Sequence, residues 1–160
     1  MVEFEVRAVP AGRAILHLKT WARVGTSLPA LDSSLRSVTR LLAPGPDEWL
    51  MISDSVDGPG LHRAVAALAR ARGIAAVDVS QAMAGLQLEG ATVREVLSTG
   101  CGLDLHPKAF PMGSCTRTRL AQLPVVIECT PSPMRYELYV GASYRPYLEK
   151  WLEDAAAKSL

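Results

Sequence analysis

Cys101, Asp104, His106 and Lys108 lie close together in one short stretch and bring a thiol, a carboxylate, an imidazole and an ammonium group within reach of a single loop. That is the variety general acid-base chemistry uses. Closeness along the chain does not supply the geometry such chemistry demands. The preferred reading is therefore structural: Asp104 caps a turn, His106 fixes the loop ahead of Pro107, and Phe110 anchors it to the core. Cys101 and His106 are five apart, but two ligands without two more nearby do not make a zinc site, and His17 and His62 are far away in sequence. The three cysteines, Cys101, Cys115 and Cys129, are odd in number and form no C-x-x-C pair, which points to reduced thiols. Neither G-x-G-x-x-G nor G-x-x-x-x-G-K-[ST] occurs, so no phosphate cradle is expected. No residue of this chain is assigned to catalysis, to a cofactor or to a metal.

Two further groups have surface chemistry. Arg117 and Arg119 are two residues apart, which puts both on one face of a strand. Such a pair can form an anion-binding ladder, but is more commonly a solvent face or part of a protein interface. Tyr144 and Tyr147, with Trp49 and Trp151, are rings large enough to anchor an interface; periodicity assigns the two tryptophans to the core and leaves the tyrosines undecided.

The elements that position these groups follow from spacing. Val2, Phe4, Val6 and Ala8 alternate with Glu3, Glu5 and Arg7, a strand that Pro10-Ala11-Gly12 stops. Ile15 to Leu18 is a second short strand, and Gly25 to Ser34 is loop-like. Val38 to Ala43 and Trp49 to Ser53 read as a hairpin across Pro44-Gly45-Pro46-Asp47. Asp57-Gly58-Pro59 opens a helix with an apolar stripe of Leu61, Ala64, Val65, Leu68 and Ala71, with His62 and the arginines on a solvated face and Gly73 at its end. Ile74 to Val79 reads as a buried strand, and Leu86 to Leu88 leads into a helix from Ala91 to Ser98 that stops at Gly100. Thr116 to Gln122 and Val125 to Thr130 pair across Leu123-Pro124, and Tyr136 to Val140 adds a strand after Pro131-Ser132-Pro133. The last helix has Ser143 as N-cap and the stripe Tyr144, Tyr147, Leu148, Trp151, Leu152 and Ala155. Strands and helices mix without regular βαβ alternation, so the class is α+β with a mixed or antiparallel sheet and packed helices, in one domain over residues 1–160.

Composition narrows the function classes. Seventeen basic against sixteen acidic residues leave a formal charge of +1 with no cationic run, which argues against nucleic acid. No apolar run approaches the length of a membrane span, and the N-terminus lacks the apolar block of a signal peptide, so the expected location is the cytoplasm.

The segments Gly100-Cys101-Gly102-Leu103-Asp104-Leu105-His106-Pro107, Cys115-Thr116-Arg117-Thr118-Arg119-Leu120-Ala121 and Ser143-Tyr144-Arg145-Pro146-Tyr147-Leu148, with Trp151 to Ala156, resemble the gamma subunit of heterotetrameric sarcosine oxidase. Gly45-Pro46-Asp47-Glu48-Trp49-Leu50, Val77-Asp78-Val79-Ser80, Leu88-Glu89-Gly90-Ala91 and Arg94-Glu95-Val96-Leu97 extend the likeness collinearly over residues 40–157. Gly141-Ala142 departs from it, standing where that family often carries basic residues. The resemblance implies a fold like the N-terminal region of the glycine-cleavage T-protein and a non-catalytic structural role. It also implies an assembly that oxidatively demethylates sarcosine to glycine, hydrogen peroxide and a one-carbon unit captured by tetrahydrofolate. FAD, FMN, NAD, zinc and tetrahydrofolate would belong to partner subunits, with this chain packing on alpha, and beta and delta completing the complex. Arg117, Arg119, Tyr144 and Tyr147 are the candidate interface residues. The alternatives are a subunit of a related secondary-amine oxidase or dehydrogenase, and a stand-alone folate-binding aminomethyltransferase-like protein. Against an iron-sulfur-assembly folate protein, Met112-Gly113-Ser114-Cys115-Thr116 lacks the Lys-Gly-Cys-x-x-Gly-Gln-Glu signature.

Overall fold

A computed structural model describes residues 4–10, 12–20 and 33–159. The expected contributions of Val2, of Ala11 and of most of the Gly25 to Ser34 loop lie outside them. The described residues gather into two compact units, one holding residues up to Val9 with Met83 onward, the other running from Pro10 to Ala82. The sequence reading drew one domain over residues 1–160. Each unit has its own antiparallel sheet and apolar core, in agreement with the α+β class.

In the Pro10 to Ala82 unit, strands β2 (Ala14–Thr20), β3 (Arg40–Gly45), β4 (Glu48–Ser53) and β5 (Ile74–Asp78) form a sheet in the order β3-β4-β2-β5. A short helix, α1 (Ser33–Val38), precedes β3 where the sequence suggested loop and the start of a strand. The β3–β4 turn is tighter than expected: Gly45 pairs with Glu48, leaving Pro46 and Asp47 to reverse the chain. Proline presets the first φ and Asp47 takes φ +57, a left-handed value its short polar side chain tolerates.

Helix α2 (Gly58–Arg70) packs on this sheet. Asp57 caps it by accepting from the Gly60 N–H at 2.7 Å, as the sequence indicated, and Gly73 follows with φ +68. The buried stripe is narrower than predicted. Leu61, Val65 and Ala69 are buried at i, i+4 and i+8, whereas Ala64, Leu68 and Ala71 are exposed. His62 is half-buried and its Nε2 lies 3.0 Å from the Ala76 carbonyl, so it belongs to the helix–β5 contact and not to a solvated face. β5 is an edge strand with Val77 52% exposed, which corrects its reading as a buried strand. Trp49 packs against the core of this unit, as periodicity suggested.

The other unit is a five-stranded sheet in the order β1-β6-β9-β8-β7, with β1 Glu5–Ala8, β6 Met83–Glu89, β7 Cys115–Leu120, β8 Leu123–Cys129 and β9 Arg135–Gly141. Helices α3 (Val93–Ser98) and α4 (Arg145–Ser159) share one core with it, built from Val93, Val96, Leu97, Leu148 and Leu152 against Leu86, Leu88, Val125, Ile127 and Leu138. Each such buried aliphatic side chain is worth about 1.5–3 kcal/mol relative to exposure.

Two sequence expectations are corrected in this unit. The β7–β8 turn is Ala121-Gln122, because Leu120 pairs directly with Leu123, and Pro124 lies inside β8 opposite Arg119. Pro124 is tolerated because β9 pairs with β8 only from Val126 onward, so its missing N–H breaks no ladder bond on that side. The last helix begins at Arg145, after a single 3-10 turn over Ala142–Tyr144, and not at an N-cap on Ser143.

Candidate subunit interface

The four candidate interface residues all belong to this second unit, Arg117 and Arg119 on β7, Tyr144 in the 3-10 turn before α4 and Tyr147 in the first turn of α4. Strand alternation sends Leu120 into the core and leaves Arg117 and Arg119 exposed, as their two-residue spacing requires. In α4, Leu148 and Leu152 are buried and Trp151 packs partly against the core. Tyr144 and Tyr147 lie at the edge of that stripe, 47% and 54% exposed, which settles as surface the tyrosines that periodicity left undecided.

Arg119 and Tyr147 converge on one backbone feature. Arg119 Nη2 donates to the Gln122 carbonyl at 3.2 Å, and the Tyr147 hydroxyl lies 3.5 Å from the Ala121 carbonyl. Ala121 and Gln122 have φ +50 and +70, the paired left-handed values of a two-residue hairpin turn that twists with its strands. Carbonyls in such a turn point out of the ladder, and here they are met by a guanidinium and a phenol. The Tyr144 ring covers Gly141, where an added Cβ would lie 3.3 Å from Cδ2. Arg117 is on the same strand face as Arg119, across from Val126.

Behind the turn, the Ala121 N–H donates to the Gly100 carbonyl at 3.1 Å, and Cys101 bridges to Leu120. Gly100 is thus more than a helix stop. A side chain there would collide with the Trp151 indole.

The loop with mixed chemistry takes the structural form. Asp104 Oδ1 accepts from the His106 N–H at 2.9 Å, and His106 Nδ1 accepts from the Lys108 N–H at 3.2 Å. The His106 carbonyl then accepts from Ala109 and Phe110, and Phe110 is buried. With Nδ1 an acceptor, the neutral imidazole carries its proton on Nε2. Cys101 is buried, with its sulfur 3.7 Å from the Thr118 hydroxyl, while Asp104, His106 and Lys108 are exposed. His17 Nε2 meets Glu48 Oε1 at 2.9 Å in the other unit. Among the described residues, no three His, Cys, Asp or Glu side chains gather as metal ligands. Nor is any helix among them long and apolar enough to cross a membrane.

Sequence reasoning missed Ala121-Gln122, since neither residue is a turn former and the neighbouring Leu123-Pro124 carried the stronger turn signal. It also gave no role to Arg94 beyond its place in a matching segment, although Arg94 Nε donates to the buried Tyr136 hydroxyl at 2.9 Å. Burial raises the Tyr136 pKa above its ordinary value, partly offset by that hydrogen bond. No local pattern marks this contact, which spans α3 and β9.

The model of the sarcosine oxidase gamma subunit family matches residues 7–158. The chain belongs to that family. It is 32% identical over 157 residues to the sarcosine oxidase gamma subunit of Corynebacterium sp. strain U-96, covering 96% of this chain and 74% of that one. It is 34% identical over 154 residues to the corresponding subunit of an Arthrobacter species, covering 94% and 73%. A solved chain of heterotetrameric sarcosine oxidase from Corynebacterium sp. U-96, in complex with pyrrole 2-carboxylate, superposes with a TM-score of 0.81 at 26% identity, covering 97% of this chain and 84% of that chain. The resemblance carried by the C-terminal segments therefore holds along nearly the whole sequence, and the α+β fold is that of a sarcosine oxidase subunit.

Proposed function

We propose that this chain is a non-catalytic structural subunit of a cytoplasmic assembly that oxidatively demethylates sarcosine, yielding glycine, hydrogen peroxide and a one-carbon unit that tetrahydrofolate captures. Its direct neighbour is the alpha subunit, with beta and delta completing the complex. FAD, FMN, NAD, zinc and tetrahydrofolate belong to those partners. The observation that carries the reading is the near full-length likeness, to gamma subunits in sequence and to a chain of heterotetrameric sarcosine oxidase in structure at a TM-score of 0.81. The exposed strip of Arg119, Tyr147 and Tyr144 supports it, because arginine and tyrosine are enriched at the centres of protein interfaces. In this reading the Ala121-Gln122 turn is the contact point, its outward carbonyls, the Arg119 guanidinium and the Tyr147 ring forming a rigid knob.

Co-expression with candidate alpha, beta and delta subunits, isolation through a tag on this chain, and an assay of sarcosine-dependent peroxide formation test the proposal together. A four-component complex with that activity is the expected result. A lone monomer that binds folate would replace this reading with a stand-alone folate protein.

A further inference from the structure

Among the described residues of the unit formed from Met83 onward, the exposed large apolar side chains occur in two places: Tyr144 and Tyr147, just before and within the first turn of α4, and Met112 and Met134, 62% and 44% exposed. The methionines line one groove of about 320 Å³ with Pro107, Pro111, Pro133 and Arg94. Arg94 and Pro107 also line an adjoining cleft of about 620 Å³ on the α3 side. Resting on the subunit reading above, we propose that this groove receives a short segment of a partner subunit in which an apolar side chain stands next to a carboxylate.

The groove is held by backbone geometry. Thr130 and Arg135 close the β8–β9 connection, with the Arg135 carbonyl accepting from the Thr130 N–H at 3.1 Å and from its hydroxyl at 3.0 Å. The intervening residues 131–134 form a four-residue loop that ends at Met134 with φ +56. Unbranched methionine in the left-handed region costs about 1–2 kcal/mol. The Gly90 N–H, donating to the Met134 carbonyl at 3.1 Å, helps hold it there. On the opposite wall, Gly113 adopts φ +84 and its N–H donates to the Cys129 carbonyl at 2.7 Å, while Ser114 accepts from the Cys129 N–H at 2.9 Å. Met134 is thus carried outward on left-handed backbone, and Met112 immediately precedes the left-handed Gly113, both segments being pinned to neighbouring strands. Three prolines stiffen the walls, and two thioethers supply an adaptable apolar lining.

Charge selects the occupant. Arg94 is the one ionic side chain among the residues lining the methionine end of the groove. Its Nε is committed to the Tyr136 hydroxyl, which orients the guanidinium and leaves the terminal nitrogens as a forked donor. An apolar side chain between the methionines places an adjacent carboxylate at that fork, where a bidentate pair adds both direction and strength.

The test uses the assembled complex, so that formation of the complex is established before the groove is probed. Dilute hydrogen peroxide converts exposed methionine to its sulfoxide, and peptide mass spectrometry reads the rate at each site. Met112 and Met134 are expected to oxidise several-fold more slowly in the complex than in the isolated chain. Equal rates in an intact complex overturn the proposal while leaving the subunit reading standing. Protection in the isolated chain that grows with its concentration overturns it as well, in favour of a second copy as occupant. The charge element is tested by M134E and M134K, both on an exposed side chain. M134E should weaken association about ten-fold, the loss typical of a truncated interface anchor, and M134K should weaken it less. The reverse order eliminates an acidic occupant.

Discussion

Gly100 lies so close to the Trp151 indole that a Cβ on it would fall on Cζ2 and Cη2 of the ring. The contact joins the end of α3 to the middle of α4 and sits directly behind the Ala121-Gln122 turn, since the Gly100 carbonyl accepts from the Ala121 N–H. Gly100→Ala should destabilise the chain by about 1–3 kcal/mol through overpacking. Adding Trp151→Leu should recover part of that loss, a non-additivity that urea denaturation of the two single variants and the double variant would measure. Simple additivity would show that the two residues do not press on one another.

The β7–β8 turn makes the opposite prediction. Gln122 holds φ +70 without being glycine or asparagine. Gln122→Gly should raise stability by about 0.5–1 kcal/mol, and Gln122→Val should lower it by at least as much, because a β-branched side chain tolerates the left-handed region worst. Thermal unfolding of the pair decides it. The Arg119 contact is to the backbone carbonyl and survives both changes.

Asp78 gives a pH dependence. Its carboxylate accepts from the Ser80 hydroxyl at 2.5 Å and from the Ser80 N–H at 3.0 Å, which holds its pKa below the ordinary 3.8. Ser80 Oγ in turn accepts from the Ile15 N–H, tying the end of β5 to β2. A depressed folded pKa stabilises fully above the unfolded value and loses its effect as pH falls through the folded one. Asp78→Asn should therefore be less stable than the parent at neutral pH, with the gap closing below about pH 4. The site is exposed, so the difference should stay under about 1 kcal/mol. Denaturation midpoints at pH 7 and pH 3 provide the comparison; a gap that widens at pH 3 would sink the linkage.

For the interface, Arg119→Ala and Tyr144→Ala should each reduce recovery of the partner subunits with the tagged chain, while unfolding of the isolated chain changes by no more than about 0.5 kcal/mol, as for surface sites. Normal assembly of both variants would remove this strip from the contact with alpha.

The α2 cap at Asp57, the strands around Trp49 and Tyr136, and the Leu148 and Leu152 stripe were legible because each depends on local chemistry or on a period of two or 3.6 within one element. The family was legible as well, since its segments are collinear. The misplaced β7–β8 turn shows the limit. Leu123-Pro124 is a turn by residue preference, but preference cannot register that the pairing of β8 with β9 begins only at Val126 and so leaves room for proline inside β8.

The same division holds for the candidate surfaces. Spacing alone put Arg117 and Arg119 on one face and made α4 amphipathic. Which edge of the α4 stripe stays outside, leaving Tyr144 and Tyr147 exposed, depends on where α3 and the sheet end beneath it. The meeting of Arg119 and Tyr147 at one turn, and of Met112, Met134 and Arg94 around one groove, joins residues from different elements. Periodicity determines the side of an element on which a residue lies, because that is a property of one backbone; burial and neighbourhood arise only when non-local strands and helices pack, and tertiary structure alone decides them.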